Sequence, residues 1–275
     1  MKLIFLDIDG TLVTAGSNVP PESALKAIKE AQALGHKVFL CTGRNYGMLS
    51  PLLKYGFDGM VAAGGGYVMV GDEVIYDCPM PDEDRDKALE VLHRNGVFCT
   101  IEAKDNTYGD ANLGEFLKNA EGGNSEIERW RKALSESLNI RPMNEYAGEP
   151  IYKIVIMCQK AEQLDEARSL LEKDYEFMIQ EVSEHGNVQN GDLVNRRFDK
   201  GRGIIRIAEK LHVDISDTIG FGDSMNDLQM IETVGTSVCM ANGAKALQKI
   251  SDLVVPSVEE DGLYEGFRKL KLINE

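Results

Sequence analysis

The sequence predicts an α/β protein built on a doubly wound parallel sheet, with a second α/β domain inserted into it. Three observations support this. Short apolar runs of strand length alternate with helical stripes near both ends of the 275-residue chain. Each of these runs is followed at once by glycine or polar residues. About a hundred residues in the middle of the chain also alternate between strand and helix patterns, but their strands are not followed by glycine or polar residues of this kind.

The first strand is predicted over Leu3–Leu6, where four apolar residues in a row are typical of a strand that is buried on both faces. Asp7 and Asp9 follow it, and in extended backbone their side chains leave the same side of the chain. Two carboxylates at a buried strand end are costly unless a cation compensates them, and Mg²⁺ is the natural candidate. The alternative is a solvated Asp-Gly turn ending at Gly10.

The next elements repeat this pattern. A helix opens at Pro20-Pro21-Glu22-Ser23 and ends at Gly35. A second strand, Lys37–Cys41, ends in the polar run Thr42-Gly43-Arg44-Asn45. A third, over residues 59–63, ends in three glycines. Because ligands bind beyond the carboxyl ends of parallel strands, we expect these strand endings to gather at one site.

The middle of the chain is predicted to be an inserted α/β cap domain over residues 81–189. A hairpin turning at Gly71-Asp72 precedes it, and two prolines, Pro79 and Pro81, break the pattern. Helices are predicted over residues 84–95, 124–138 (with Trp130) and 161–172, and strands over residues 97–102, 151–158 and 176–182. Residues 186–192 read as the linker back to the core.

The first pattern then resumes. A helix opens at Lys200-Gly201, and a strand over residues 218–221 ends in Gly222-Asp223-Ser224-Met225-Asn226-Asp227. Two short strands and a terminal amphipathic helix follow. The catalytic core is therefore predicted to be discontinuous and to comprise residues 1–80 and 190–275.

Composition limits the function. With 30 basic and 45 acidic residues the net charge is −15, which argues against sequence-independent binding of nucleic acid. A small anionic substrate remains possible, because a metal and a few basic groups can override the global field. Five widely spaced cysteines without a CxxC indicate reduced thiols and a cytoplasmic protein. No apolar run is long enough to span a membrane. We expect a monomer or a weak homodimer.

Four segments together resemble the haloacid dehalogenase (HAD) superfamily, and more narrowly its Cof-type, subfamily IIB phosphatases. The segments are Asp7-x-Asp9-Gly10-Thr11, Thr42-Gly43-Arg44, Lys200, and Gly222-Asp223-Ser224-x-Asn226-Asp227. The resemblance covers almost the whole chain, and it is most specific in the first and last segments. It implies a Rossmann-like core with a large inserted cap, Mg²⁺ as cofactor, and hydrolysis of small phosphorylated metabolites.

The resemblance also implies roles that agree with what phosphate-ester chemistry requires. Asp7 would be the nucleophile, and Asp9 the acid and then the base. Mg²⁺ would be held by Asp7, the main-chain carbonyl of Asp9, and Asp223. The phosphoryl oxygens would be held by Ile8, Thr42, Gly43, Lys200 and Asn226.

Several of these residues keep a simpler interpretation. Asp227 would support the site, or be an acid favoured by a helix N-terminus. Thr42 could be a helix N-cap. Lys200 could be a solvated lysine, with Arg196, Arg197 and Arg202 as rival cations. Arg44 could contact the substrate or brace its loop.

The sequence departs from the family pattern at Gly64-Gly65-Gly66, where Asn-Gly-Ala is common, and at Ala241-Asn242-Gly243, where Gly-Asn-Ala is common. Sugar phosphates are the first expectation for the substrate, before pyridoxal phosphate or FMN. A phosphomutase of the phosphomannomutase type and a non-catalytic metabolite-binding regulator are the alternatives. Five residues of the cap are candidates for setting specificity: Glu102, Tyr108, Asn112, Tyr152 and Lys153. The alternative is that they are surface or packing residues of the cap.

Overall fold

The computed structural model describes residues 1–119, 140–179 and 189–274. The chain forms two compact units, one of Met1–Asp77 with Phe198–Glu275 and one of Cys78–Arg197. The helix predicted over residues 124–138, with Trp130, lies outside the described residues, as do residues 186–188 of the predicted linker.

The first stretch of the chain forms five strands and two helices. They are β1 (Leu3–Leu6), α1 (Glu22–Ala33), β2 (Lys37–Cys41), α2 (Ser50–Leu53), β3 (Gly59–Ala62), β4 (Tyr67–Val70) and β5 (Glu73–Asp77). All four residues of β1 are buried, as its unbroken apolar run requires. Helix α1 buries one stripe, formed by Ala24, Ala27, Ile28 and Ala31, against the sheet.

Within the residues that the structure describes, the middle stretch forms six strands and three helices. They are α3 (Asp82–Arg94), β6 (Phe98–Ala103), β7 (Thr107–Gly109), α4 (Leu113–Asn119), β8 (Ile140–Pro142), β9 (Ile151–Cys158), α5 (Asp165–Leu171), β10 (Tyr175–Ile179) and β11 (Gln189–Asn195). The two short strands β7 and β8 have no counterpart in the sequence prediction, because three residues are too few to show a period.

The last stretch returns to the first unit. It forms α6 (Lys200–Lys210), β12 (Thr218–Gly222), α7 (Leu228–Thr233), β13 (Thr236–Met240), α8 (Lys245–Ile250), β14 (Leu253–Val255) and α9 (Gly262–Lys269). In the parts of the chain that the structure describes, no helix has the length and apolar character needed to cross a membrane.

The first unit is built on one eight-stranded sheet with the order β14-β13-β12-β1-β2-β3-β4-β5. The strands from β14 to β3 run parallel, and the hairpin of β4 and β5 adds two antiparallel strands at one edge. Strand β1 is central, with Leu3 opposite Lys37 on one side and Thr218 on the other. The predicted doubly wound α/β fold is confirmed, and its strand ends define one edge for a site.

The second unit is built on a six-stranded sheet with the order β10-β11-β9-β6-β7-β8. Strand β11 corrects the prediction, which treated residues 186–192 as a linker and assigned residues 190–197 to the core. The sequence Gln189-Asn190-Gly191-Asp192 resembles a turn, yet its residues pair with β9 and β10. A Cβ on Gly191 would lie 2.5 Å from the Met178 carbonyl oxygen, so this glycine permits close strand contact and does not mark a turn.

Candidate active site

The carboxyl ends of β1, β2 and β12 bring Asp7, Thr42 and Asp223 to the same edge of the first sheet. The Asp7 amide donates to the Phe221 carbonyl oxygen at 2.9 Å, which extends the ladder between β1 and β12 by one residue. The Thr42 amide donates to the Val61 oxygen at 2.8 Å. These main-chain bonds fix the positions at which the polar side chains leave the sheet.

Lys200 is the cation that pairs with Asp7. It is the first residue of α6, whose N-cap Asp199 accepts a hydrogen bond from the Arg202 amide at 2.7 Å. The buried Lys200 Nζ lies 2.7 Å from Asp7 Oδ1 and 2.5 Å from Asp227 Oδ1. Burial alone would lower the pKa of Lys200, but the carboxylates of Asp227 and Asp7 raise it well above its ordinary value. The ammonium is therefore charged.

Two of the three rival cations have other partners. Arg196 pairs with Glu176 at 3.8 Å, and Arg202 pairs with Asp199 at 3.3 Å. Both arginine side chains are about half exposed, in contrast to Lys200.

Asp227 connects Lys200 to the loop that follows β12. Its carboxylate is fully buried, and the oxygen that does not meet Lys200 accepts from the amides of Asp223 and Ser224, both at 3.0 Å. Two amides and one ammonium thus satisfy this carboxylate. Asp227 holds the metal-ligand candidate Asp223 and the lysine in one frame, which goes beyond the simple role of an acid at a helix N-terminus.

Asp223 completes a cluster of three carboxylates. Asp7, Asp223 and Asp227 each offer an oxygen, and these atoms lie within 4.8 Å of one another. The Thr11 hydroxyl donates to Asp223 Oδ1 at 3.2 Å. Gly10 has a φ of +87°, and a Cβ there would lie 2.4 Å from Asp223 Oδ2. Only glycine allows the turn after β1 to approach this carboxylate so closely.

The cluster carries more negative charge than Lys200 can compensate. Burial, followed by the charge of Asp227, raises the pKa of Asp7 to about 7. Burial, followed by the charges of Asp7 and Asp227, raises the pKa of Asp223 to about 8. Hard carboxylate oxygens with uncompensated charge are the donors that Mg²⁺ prefers. The residues therefore fit a divalent cation.

The predicted phosphate-binding groups differ in their exposure and in their hydrogen-bond partners. The amides of Ile8 and Gly43 have no hydrogen-bond acceptor within the described parts of the chain. Thr42 is buried, and its hydroxyl accepts from the Arg44 amide at 3.1 Å in a local turn. The next helical turn begins at Gly47 with Tyr46 as its N-cap, so Thr42 is not a helix N-cap. Asn226 lies exposed in the turn Met225–Asp227, and no contact brings it to Asp7.

Asp9 lies apart from the lysine and pairs with Arg44. Arg44 Nε donates to Asp9 Oδ2 at 2.8 Å, and Nη2 donates to Oδ1 at 2.7 Å. Two parallel hydrogen bonds of this kind balance the charge of the carboxylate and fix its orientation. The two aspartates that the sequence places two residues apart thus have separate cationic partners.

Comparison with known proteins identifies the family. The family model for haloacid dehalogenase-like hydrolases matches residues 4–267. The chain belongs to this family. The sequence resemblance is thereby confirmed, and with it the expected class of enzyme, a Cof-type hydrolase of the phosphatase kind.

Relatives of this HAD chain match over their full lengths. YkrA of Bacillus subtilis (strain 168), a proposed phosphatase by its name, is 31% identical over 273 residues, covering 99% of this chain and 98% of YkrA. The 5-amino-6-(5-phospho-D-ribitylamino)uracil phosphatase YwtE of the same organism is 27% identical, covering 96% of each chain. The solved structure of the HAD subclass IIB sugar phosphatase BT4131 has a TM-score of 0.76 at 23% identity, covering 99% of this chain and 100% of that one. This last likeness shows the fold.

Two supporting residues lie in the segments where the sequence departs from the HAD pattern, and each is the middle residue that the common triplet also has. Asn242 Nδ2 donates to the Gly10 carbonyl oxygen at 2.8 Å, and its Oδ1 accepts from the Val258 amide at 3.1 Å. Gly65 has a φ of +107°, and a Cβ there would lie 2.2 Å from the Asp199 oxygen. Asn242 thus holds the turn after β1, and Gly65 allows the loop after β3 to reach the start of α6.

The candidate specificity residues of the second unit differ from one another. Tyr108 and Tyr152 are buried, and Asn112 is exposed with a φ of +68°. Glu102 and Lys153 lie directly opposite each other on β6 and β9. Their role in specificity stays a prediction.

Proposed function

We propose that this HAD hydrolase is a Mg²⁺-dependent phosphomonoester hydrolase that forms an aspartyl-phosphate on Asp7. The observation that carries the proposal is the position of Lys200, whose ammonium lies 2.7 Å from Asp7 Oδ1 in a buried cluster with excess negative charge. Phosphoryl transfer needs a nucleophile whose charge is balanced and cationic groups on the phosphoryl oxygens. Lys200 is one such cation beside Asp7, and the remaining negative charge of the cluster favours a bound divalent cation as the second.

In the first step, a carboxylate oxygen of Asp7 attacks phosphorus and the ester bond to the leaving oxygen breaks. Lys200, the amides of Ile8 and Gly43, Thr42 and Asn226 are proposed to bind the phosphoryl oxygens. Asp9 gives a proton to the leaving oxygen, so that it departs as an alcohol. Asp7, the Asp9 main-chain carbonyl and Asp223 would hold Mg²⁺, which would neutralise charge on the phosphoryl group.

In the second step, water attacks phosphorus and the bond to Asp7 breaks. Asp9, now a carboxylate, takes the proton from that water. Inorganic phosphate leaves and Asp7 is regenerated. Dividing the reaction in this way replaces one difficult displacement with two easier ones, and a single residue, Asp9, moves the proton in both.

Sugar phosphates and related small phosphate esters are the proposed substrates, with pyridoxal phosphate and FMN next. Two relatives support this choice by their names, one a phosphatase of a phosphorylated ribityl compound and one a sugar phosphatase. The acidic chain, with a net charge of −15, supports small soluble substrates over nucleic acids.

The test is release of inorganic phosphate from a panel of phosphorylated sugars, nucleotides and cofactors, with Mg²⁺ and with EDTA. Asp7→Asn serves as the blank, because it keeps the size of the side chain and removes the nucleophile. We expect Mg²⁺-dependent release that the substitution abolishes while the far-UV circular dichroism spectrum is unchanged. Activity that survives Asp7→Asn would exclude the aspartyl-phosphate. Isomerisation that depends on a bisphosphorylated activator, without phosphate release, would indicate a phosphomutase instead.

A further inference from the structure

Arg44 spends most of its hydrogen-bonding capacity on protein groups. A guanidinium has five N–H donors. Four of those of Arg44 are used: Nε and Nη2 bind the two oxygens of Asp9, Nη2 also donates to the Ser17 carbonyl oxygen at 3.2 Å, and Nη1 donates to Asn18 Oδ1 at 2.6 Å. The fifth N–H has no acceptor among the described residues. The geometry therefore favours bracing over the alternative that Arg44 contacts the substrate.

The loop between β1 and α1 wraps the same pair from the other side. The Gly16 amide donates to Asp9 Oδ1 at 3.0 Å, while Asn18 and the Ser17 carbonyl hold the guanidinium. The Asp9 carboxylate thus lies between one arginine and one loop, and its side chain is 17% exposed. An unbraced surface aspartate would rotate freely about its side-chain torsions.

Arg44 itself is anchored through its main chain. Its amide donates to the Thr42 hydroxyl at 3.1 Å, and its carbonyl oxygen accepts from the Ala63 amide at 2.8 Å. Since Thr42 follows β2 and Ala63 follows β3, the arginine is fixed to two strand ends of the sheet. Arg44 is thus fixed to the sheet and in turn fixes the side chain of Asp9, which follows the neighbouring strand β1.

We propose that Arg44 and Asn18 are positioning residues, which hold the Asp9 carboxylate in the one orientation from which it meets the leaving oxygen. This inference rests on the proposed function, in which Asp9 transfers the proton. Asn18 acts through Arg44: its side-chain oxygen keeps the guanidinium in the plane of the carboxylate. Nothing in the sequence pattern singles out Asn18, because it lies in a polar loop outside every motif.

Alkyl and aryl phosphate esters differ in how much their leaving groups need a proton from Asp9. A sugar phosphate has an alkoxide leaving group that needs a proton, whereas the phenolate of p-nitrophenyl phosphate leaves readily without one. Losing the orientation of Asp9 should therefore harm hydrolysis of the alkyl ester far more than hydrolysis of the aryl ester. A substitution that loosened the fold, or removed a phosphate contact, would harm both esters alike.

The experiment measures kcat/KM with Mg²⁺ for p-nitrophenyl phosphate and for the best sugar phosphate of the panel, because kcat/KM covers the steps up to departure of the leaving group. For Arg44→Gln we expect a loss of about 10²-fold on the sugar phosphate, the size of a typical general-acid contribution, and of at most about tenfold on the aryl ester. Asn18→Ala should show the same selectivity with a loss of about three- to tenfold. Arg44→Lys should restore part of the loss, since a lysine keeps the charge but not the fork.

Arg268→Gln is the matched control, because the exposed Arg268 side chain pairs with Glu265 at 2.8 Å, away from the candidate site. It should leave kcat/KM unchanged for both esters. Equal losses on both esters for Arg44→Gln and Asn18→Ala would overturn the inference while leaving the proposed function intact. So would a rise in KM for both esters with kcat unchanged, which would make Arg44 a substrate-binding residue. A wild-type protein that hydrolyses neither ester would overturn the proposed function and the inference together. Asn18→Ala, with an unchanged unfolding midpoint, keeps the test valid if Arg44→Gln does not fold.

Discussion

Each unit of the protein buries a lysine between two carboxylates. In the first, Lys200 lies 2.7 Å from Asp7 and 2.5 Å from Asp227. In the second, Lys153 lies 3.5 Å from Glu102 and 3.2 Å from Asp192. Both lysine side chains are at most 10% exposed. Composition alone does not tell these two clusters apart.

Their places in the fold separate them. Glu102 and Lys153 are cross-strand neighbours in the middle of one sheet, an arrangement that contributes to pairing of β6 with β9. Lys200 begins a helix and meets side chains from the loops after β1 and β12. Among the residues that the structure describes, a third carboxylate within 4.8 Å of the other two, that of Asp223, is found in the first cluster and not in the second. A lysine–carboxylate cluster thus indicates chemistry where strand ends converge and negative charge remains in excess.

The comparison predicts its largest effect for removal of the two lysines. Lys200→Met should lower kcat/KM by about 10³-fold, because a cationic donor to the transition state is lost. Lys153→Met should cost stability, by about 3 kcal/mol for a broken buried pair, and reduce kcat for p-nitrophenyl phosphate by less than about tenfold. Urea unfolding and phosphate release measure the two effects. Equal losses of rate would remove the distinction between the clusters.

The excess charge of the first cluster predicts an effect of pH on stability. The pKa values of Asp7 and Asp223, about 7 and about 8, exceed the ordinary value of 3.8, so the folded metal-free protein binds more protons than the unfolded chain. Stability from these groups is fully present below about pH 4 and is lost as the pH rises through about 7 to 8. In EDTA the midpoint of urea unfolding should therefore move to lower urea concentration as the pH rises from 5 to 8.

Mg²⁺ should flatten this decline, since the cation stabilises the ionised carboxylates. Asp223→Asn in EDTA is the control and should reduce the pH dependence, because one of the two titrating groups is gone. A midpoint in EDTA that does not change with pH, or one that Mg²⁺ leaves unaffected, would mean that the cluster is already balanced. The contrast with the Lys153 cluster would then lose its physical basis.

The smallest effect is expected at Asn242, which sharpens the account of how the strand ends are held. Asn242→Ala removes hydrogen bonds to Gly10 and Val258 and should cost about 1 to 2 kcal/mol of unfolding free energy. Asn274→Ala, at an exposed position, should leave stability unchanged. Measurement by urea denaturation compares the two. Equal behaviour would show that the turn after β1 does not depend on Asn242.

Most of the fold was predictable because its signals are local. Buried parallel strands such as Leu3–Leu6 appear as unbroken apolar runs, and Lys200 begins its helix at the predicted residue. Strand β11 was missed because Gly191, which permits close contact with Met178, also resembles a turn. Short strands such as Thr107–Gly109 carry too few residues for a period.

For the candidate site, the motifs predicted that Asp7, Lys200 and Asp223 gather, and they left most of the side-chain pairing open. The hydrogen bond from Lys200 to Asp227 joins residues 27 positions apart, and the pairing of Asp9 with Arg44 joins residues 35 positions apart. Asn18 lies in a loop without a pattern, so only the folded chain reveals its contact with Arg44. Side-chain partners chosen by tertiary geometry leave no period or spacing in the sequence.

The central claim is that Asp7 becomes phosphorylated, and direct trapping tests it most sharply. The enzyme with Mg²⁺ and p-nitrophenyl phosphate would be quenched in acid within milliseconds, treated with borohydride to reduce the acyl phosphate to an alcohol, and digested for mass spectrometry. We expect the side chain at position 7 to be reduced to the alcohol in the wild-type protein and to be unchanged in Asp7→Asn. Phosphate release without any reduced carboxylate, or reduction at another aspartate, would contradict it.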